Sequence, residues 1–247
     1  MTHKVALITG ASSGIGAAVA LHLSGNGFSV MAAGRNAERS ETLQEQSSNI
    51  RSWVGDLASS ESCATLVSAC IEEFGRLDLL VNNAGIYYSA DAEHTTDEIW
   101  TQTIAVNLNA AFYLSRNAIP HLRKSKGVIL NVASDWGLGG GKNAVAYCAS
   151  KGGMVLMTKA MALDHAHEGI RINAICPGDV ETPMLYEEGA KRGLDPEEAV
   201  REAAAASPTG KVTTPDEVAA LVLFLASDAA AQITGTAIPI DGGNTAS

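Results

Sequence analysis

The chain has 247 residues, 46% hydrophobic and 18% charged, and its 17 basic and 27 acidic side chains leave a net charge of −10. A single α/β domain can reach this length. An acidic balance offers no general attraction to nucleic acid phosphates or anionic lipid heads, so neither nucleic acid nor a membrane is expected as a partner.

Taken in order, the chain opens on the apolar run Val5–Ile8, too brief for a signal-peptide core and read as a first strand. The amphipathic stretch Ile15–Ser24 follows as a helix, then the strand Phe28–Ala33, the helix Ala37–Gln46 and the strand Ile50–Val54. The alternation continues through Glu61–Phe74, Leu77–Val81, Glu98–Leu122, Val128–Val132, Ala146–Ala166 and Ile170–Cys176, and closes with Pro215–Leu225 and Ala237–Ile240. Each strand run is too continuously apolar to keep one wet face, which places the strands in a parallel sheet covered on both sides. The pattern predicts a doubly wound α/β fold of about seven strands, a single domain over 1–247. Two stretches break the rhythm. Gly137 to Gly141 is glycine-rich and predicts a mobile loop. Pro183 to Gly210 is charged and alanine-rich, with a helix start at Asp195-Pro196-Glu197-Glu198, and predicts a small helical excursion over the carboxyl ends of the strands. The longest strongly apolar stretch, Val218 to Ala226, is too short to span a bilayer.

Three groups of residues carry chemistry. Between the first strand and the first helix lies Thr9-Gly10-Ala11-Ser12-Ser13-Gly14-Ile15-Gly16. Glycines let a backbone turn sharply and approach a ligand, and free N–H groups at a helix start attract a pyrophosphate, so the loop is a candidate dinucleotide cradle; a structural tight turn is the plain alternative. The second strand ends in Ala33-Gly34-Arg35-Asn36, with no carboxylate before Glu38. Gly34 leaves room for a 2′-phosphate and Arg35 can pair with it, which favours NADP(H); an Arg35 stacked on adenine admits NAD(H) as well. Tyr147 and Lys151 stand four apart on one helix face, with Ser134 at the end of the preceding strand. A phenol ordinarily titrates near 10 and a nearby cation lowers it, so the three read as acid/base, tuner and polariser.

In order, these residues resemble the short-chain dehydrogenase/reductase family, and the likeness covers nearly the whole chain. It implies a Rossmann-type sheet, with Asp56-Leu57 as the adenine-contact pair and Asn83, Ala84 and Gly85 of Asn82-Asn83-Ala84-Gly85 as the strand-four motif. Asn107, Ser134, Tyr147 and Lys151 match the family's catalytic tetrad, and Pro177, Gly178, Val180 and Thr182 its nicotinamide-holding segment. Ile233-Thr234-Gly235 and Asp241-Gly242-Gly243 look like its C-terminal strand region. The implied mechanism holds a carbonyl between Ser134 and Tyr147 for hydride attack, with Tyr147 giving the proton. Lys151 then binds the nicotinamide ribose, and Asn107, kinking its helix, holds a relay water.

Substrate contacts are expected from Ser134, Tyr147, Trp136 and Met184, the last in a loop with Leu185 and Tyr186 that can close on the ligand. The expected substrate is a small ketone or alcohol. The alternatives are a 3-oxoacyl carrier-protein or CoA reductase and a catalytically silent dinucleotide-binding redox sensor. Glu168 stands where a carrier-binding chain is often basic, although Arg123, Lys124 and Lys126 form a small basic cluster; a sensor tends to lose the tyrosine or lysine present here. His165 and His167 lie on different helix faces, and His3, His22, His94 and His121 are scattered, so no metal is expected. Cys63, Cys70, Cys148 and Cys176 form no C-x-x-C pair and read as free thiols of a cytoplasmic protein. Ala105, Ala110, Ala111, Phe112, Leu114, Met154, Met157, Ala160 and Met161 exceed what one sheet face needs, which predicts a homo-oligomer, in this family often a tetramer.

Overall fold

A computed structural model describes residues 4–246, and His3 lies outside them. The apolar runs form β1 (Lys4–Thr9), β2 (Phe28–Gly34), β3 (Ile50–Val54), β4 (Leu79–Asn82), β5 (Val128–Val132), β6 (Arg171–Pro177) and β7 (Ala237–Ile240). They pair in parallel in the order β3-β2-β1-β4-β5-β6-β7, so the direction of winding reverses between β1 and β4.

Alternate residues of one strand feed two cores. In β1, Ala6 and Ile8 face the layer of α1 (Gly14–Gly25) and α9 (Pro215–Ala226), where Val19, Leu23, Val218 and Val222 are fully buried. Val5 and Leu7 face the opposite layer of α3 (Ser60–Phe74), α5 (Ala110–Ser125) and α6 (Val145–His165), against Leu66, Leu114 and Leu122. Each such leucine contributes ~2 kcal/mol through burial. The outer strand β3 is covered by α2 (Ala37–Glu45), whose N-cap Asn36 accepts from Arg39 N–H at 2.9 Å.

Three expectations change. The stretch 98–122 is not one helix: α4 (Asp97–Ile104) gives way to a π turn at Ala105–Asn109 before α5, and Ala110 N–H reaches back five residues to the Ala105 carbonyl. Within 183–210 there are two helices, α7 (Pro183–Lys191) and α8 (Pro196–Ala206), set so close that a Cβ on Gly189 would lie 2.6 Å from the Ala199 methyl. Asp195 and Glu198 form the full capping box at the start of α8. Finally, Ala110, Ala111, Leu114, Met154 and Met161, read as contacts for a second subunit, are buried within the chain's own core. Their small or flexible side chains serve close packing of α5 and α6 on the sheet. The large apolar residues left on the surface of α4, α5 and α6 are Trp100, Phe112, Val145, Leu156 and Leu163, the last 82% exposed.

Candidate active site

The site forms at the carboxyl ends of the strands, where the winding reverses. The loop after β1 is tied down from both sides. Thr9 Oγ1 accepts from Asn83 N–H and Ala84 N–H at 3.0 Å each, Asn83 Nδ2 donates to Thr9 O at 2.9 Å and Gly10 O at 3.2 Å, and Ala11 N–H donates to Ala33 O at 2.9 Å. Asn83 and Thr9 thus act as internal struts of the loop, a role for Thr9 that the motif alone did not disclose. A Cβ on Gly16 would fall 2.3 Å from the Gly10 carbonyl oxygen, so no side chain fits there. Gly10 has φ +64° and Gly14 φ +54°, the left-handed region that glycine reaches without strain.

The donor set suits a dinucleotide. At the start of α1, Ser13 gives no side-chain cap and the first turn holds no acid, whereas α2, α3, α4, α8 and α9 are all capped by side chains. Its leading N–H groups, with Ser12, Ser13 and Ile15 around them, are therefore available to a pyrophosphate. At the end of β2, a Cβ on Gly34 would stand 2.9 Å from Ser12 Cβ and 3.2 Å from Ser40 Oγ. Ser40 is buried, and its hydroxyl has no hydrogen-bond partner among the described residues. Arg35 is exposed beside this cluster. Gly34 is thus a packing requirement of the Ser12 loop as well as an opening for a ligand. Past β3, Asp56 accepts from Ala58 N–H at 2.7 Å and Leu57 is buried against α3.

On the far side, β6 delivers Pro177 and Gly178, the latter with Asp241 Cα 3.0 Å from where a Cβ would be. Val180 is buried, Thr182 Oγ1 donates to Val180 O at 3.1 Å, and the Thr182 methyl approaches the Cβ position of Gly14 to 3.1 Å. The segment after β6 therefore meets the glycine loop. Met184 is 39% exposed on the first turn of α7.

Ser134, Tyr147 and Lys151 are brought together by β5 and α6. Lys151 is buried and donates to the Val132 carbonyl at 2.7 Å; burial pushes its pKa down to about 8. Its other hydrogens have no acceptor among the described residues, and a side chain on Gly85 would fill the gap before it, its Cβ 3.5 Å from Lys151 Nζ and from Asn107 Oδ1. Tyr147 is half-buried, with Lys151 Nζ 5.6 Å from its ring centre and Ser134 near enough to act on its hydroxyl. The expectation that the lysine lowers the phenol is not met in the chain alone. Burial is the largest effect and holds Tyr147 above the ordinary phenol value; the Ser134 bond opposes it, and Asp135 adds to it.

Asn107 sits in the π turn and spends its whole carboxamide on the protein. It accepts from Ile86 N–H at 2.8 Å and donates to Ile86 O at 2.9 Å and Ser150 Oγ at 3.1 Å, so it fastens the loop after β4 to α6. Its side chain is a clamp, which leaves main-chain groups of the π turn for any water.

Tyr87 had no signal of its own in the sequence beyond following Gly85. It stands edge-to-face with Tyr147 and Trp136, ring centres 5.3 Å and 5.8 Å away, and Trp136 and Tyr147 are themselves 6.1 Å apart. Gly141 lies under the Trp136 indole, 2.5 Å from its Cβ position, so the end of the glycine-rich segment is fixed by that ring. The carboxylate of Asp135, buried beside Ser134, was also not given a role by its position alone.

A family model described as enoyl-(acyl carrier protein) reductase matches residues 10–245. Meso-2,3-butanediol dehydrogenase of Serratia marcescens is 38% identical over 247 residues, covering 99% of this chain and 96% of that one. The chain belongs to the short-chain dehydrogenase/reductase family. L-fucose dehydrogenase of Bos taurus is 39% identical over 241 residues, 97% of this chain and 88% of its own. Among solved structures, a single-residue variant of actinorhodin polyketide ketoreductase with NADPH superposes with TM-score 0.93 at 34% identity, covering 98% of this chain and 97% of that chain. This short-chain dehydrogenase/reductase is therefore a nicotinamide-dependent oxidoreductase with the Rossmann-type parallel sheet of its relatives. No helix among its described residues is long and apolar enough to cross a membrane, and no His, Cys, Asp and Glu cluster among them could hold a metal.

Proposed function

We propose that the protein is an NADP(H)-dependent dehydrogenase/reductase that interconverts a small neutral secondary alcohol and its ketone, with Tyr147 as acid/base. The observation that carries this reading is the grouping of Tyr147 with the Tyr87 and Trp136 rings, next to Ser134 and with the ammonium of buried Lys151 5.6 Å from the phenol ring centre. A bound nicotinamide supplies or takes the hydride. Gly10, Ser12, Ser13, Gly14, Ile15 and Gly16 hold the pyrophosphate, Asp56 and Leu57 the adenine, Asn83, Ala84 and Gly85 the loop beside it, and Pro177, Gly178, Val180 and Thr182 the nicotinamide end.

Tyr147, a phenol already protonated at neutral pH and raised further by burial, is ready as the donor to a developing alkoxide. In the oxidising direction the same phenol must first lose that proton. Lys151, held near Val132, gives its free hydrogens to the ribose and its charge to the phenolate once formed. The aromatic wall offers apolar ring edges, which suits a neutral substrate. Arg35 with the unpartnered Ser40 hydroxyl supports a 2′-phosphate. A carrier-bound acyl substrate, enoyl in the description of the matching family model and 3-oxoacyl in the name of a 37% identical relative from Thermotoga maritima, is the alternative, but Glu168 engages Arg123 at 2.9 Å and both lie at the amino ends of the strands in this chain. We place the protein in the cytoplasm as a homo-oligomer, on its four free thiols and the exposed apolar residues of α4 to α6.

Replacing Tyr147→Phe tests the assignment. Reduction of a ketone panel with NADPH should fall by at least about a hundredfold while NADPH binding persists. Turnover that survives the change overturns the role of Tyr147.

A further inference from the structure

A chain of hydrogen bonds leads away from Tyr147 into the C-terminal segment. Ser134 Oγ donates to Asp135 Oδ1 at 2.8 Å, and Asn244 Nδ2 donates to Asp135 Oδ2 at 2.8 Å. Trp136 N–H lies 2.8 Å from Asp135 Oδ1 and 3.1 Å from Ser134 Oγ. Ser134 and Asp135 are 7% and 6% exposed, so these bonds are not shared with bulk water.

A carboxylate only accepts, so the hydrogen of the Ser134 hydroxyl lies toward Asp135. Its two lone pairs then point elsewhere, one to Trp136 N–H and the other to the space where a substrate oxygen sits; Ser134 lowers the Tyr147 phenol only when its hydrogen turns from Asp135 to the phenol oxygen. An alcohol can accept from Tyr147 and donate to that lone pair. A ketone oxygen has no hydrogen to give, so it meets Ser134 lone pair to lone pair until the serine hydrogen leaves Asp135. That move gives up a charge-assisted bond.

We propose that Asp135, pinned by Asn244, is a positioning residue that keeps Ser134 an acceptor toward the reacting oxygen, so that the site binds the alcohol member of its substrate pair in preference to the ketone. This rests on the reading above in which Tyr147 and Ser134 hold the reacting oxygen.

The test exploits the demand that Asn244 makes. In Asp135→Asn, the Asn244 amide calls for the carboxamide oxygen, so that the NH2 turns to Ser134 and releases the serine hydrogen for a ketone, while Trp136 N–H gives up its bond to position 135 and keeps the one to Ser134 Oγ. Adding Asn244→Asp reverses that demand, because the carboxylate now at the outer position takes the NH2 and returns the amide oxygen to Ser134. The reaction's equilibrium constant ties the two kcat/KM values together, so binding is read instead, by tryptophan fluorescence on cofactor-loaded protein. Trifluoroethanol with NADP⁺ is the hydroxyl probe, and N,N-dimethylacetamide with NADPH the carbonyl probe that only accepts.

The ratio of the two dissociation constants should shift toward the carbonyl probe by about tenfold in Asp135→Asn, the factor expected for losing one charge-assisted bond. It should return toward the parent value in Asp135→Asn/Asn244→Asp. Asp135→Ala, which removes the acceptor without adding a donor, should shift it the same way as the single amide and serves where that variant does not fold. An unmoved ratio, or a double variant shifted as far as the single, overturns the proposal. If the ratio stays fixed while Tyr147→Phe abolishes turnover, only the role of Asp135 falls; if Tyr147→Phe keeps turnover, the reading beneath it falls as well.

Discussion

At the residue scale, the cofactor end of the site turns on Arg35 and Gly34. Arg35 is exposed and Gly34 is hemmed in by Ser12 and Ser40, so the two respond differently to change. Arg35→Ala should weaken NADPH by about tenfold and leave NADH unchanged, since it removes one charged partner of a phosphate that NADH lacks. Fluorescence titration with both cofactors checks this, and equal losses would show that Arg35 holds the adenine instead. An acid at position 34 is a poor probe of preference, because its Cβ alone would press Ser12 at 2.9 Å and disturb the loop for either cofactor. Tyr147 makes a similar point about charge. The i, i+4 spacing to Lys151 correctly put both on one face, but the sign of the phenol's shift came from how deeply the fold encloses it.

At the scale of elements, the π turn at Ala105–Asn109 is what aims Asn107 inward. One extra residue in the turn re-aims the carboxamide onto Ile86 and Ser150, linking the loop after β4 to α6. Ser150 in turn donates to the Tyr147 carbonyl at 2.7 Å, so the clamp reaches the turn that carries the phenol. Asn107→Ala should therefore cost on the order of 2–4 kcal/mol of stability, from buried partners left unpaired. Denaturant unfolding measures that, and a loss under about 1 kcal/mol would mean that water replaces the amide. The helix start at Asp195, by contrast, was fully legible, because a capping box depends only on neighbours three residues apart; the same box at Thr214 went unread.

At the scale of the whole molecule, the surface of α4 to α6 carries Trp100, Phe112, Leu156 and Leu163 in a chain whose other large apolar side chains are mostly inside. Leu156 and Leu163 are two turns apart on one face of α6. Leu156→Glu/Leu163→Glu should leave the fold and its unfolding midpoint nearly unchanged and convert an oligomer to monomers. Light scattering at micromolar concentration decides it; a parent protein that already runs at monomer mass removes the oligomer from the proposal.

The alternation of apolar runs with amphipathic stretches was enough to locate every strand and to expect a doubly wound parallel sheet, because burial on both faces leaves a continuous apolar signature in the inner strands; the edge strands β3 and β7 are only partly buried, against the expectation that none keeps a wet face. The ordered motifs were enough for the family, because a glycine loop, a Ser and a Tyr-x-x-x-Lys each occupy a fixed place along that sheet. What they could not supply were contacts between residues far apart in the chain. Tyr87 meets Trp136 and Tyr147, Asn244 reaches Asp135, and Thr9 braces Asn83 only once β1, β4, β5 and the C-terminal segment converge. The side chains that core packing claimed, such as Leu114 and Met154, and those it left outside, such as Leu163, share the same local pattern. Local periodicity tells which residues avoid water, whereas which neighbour shields them is decided only when the layers close.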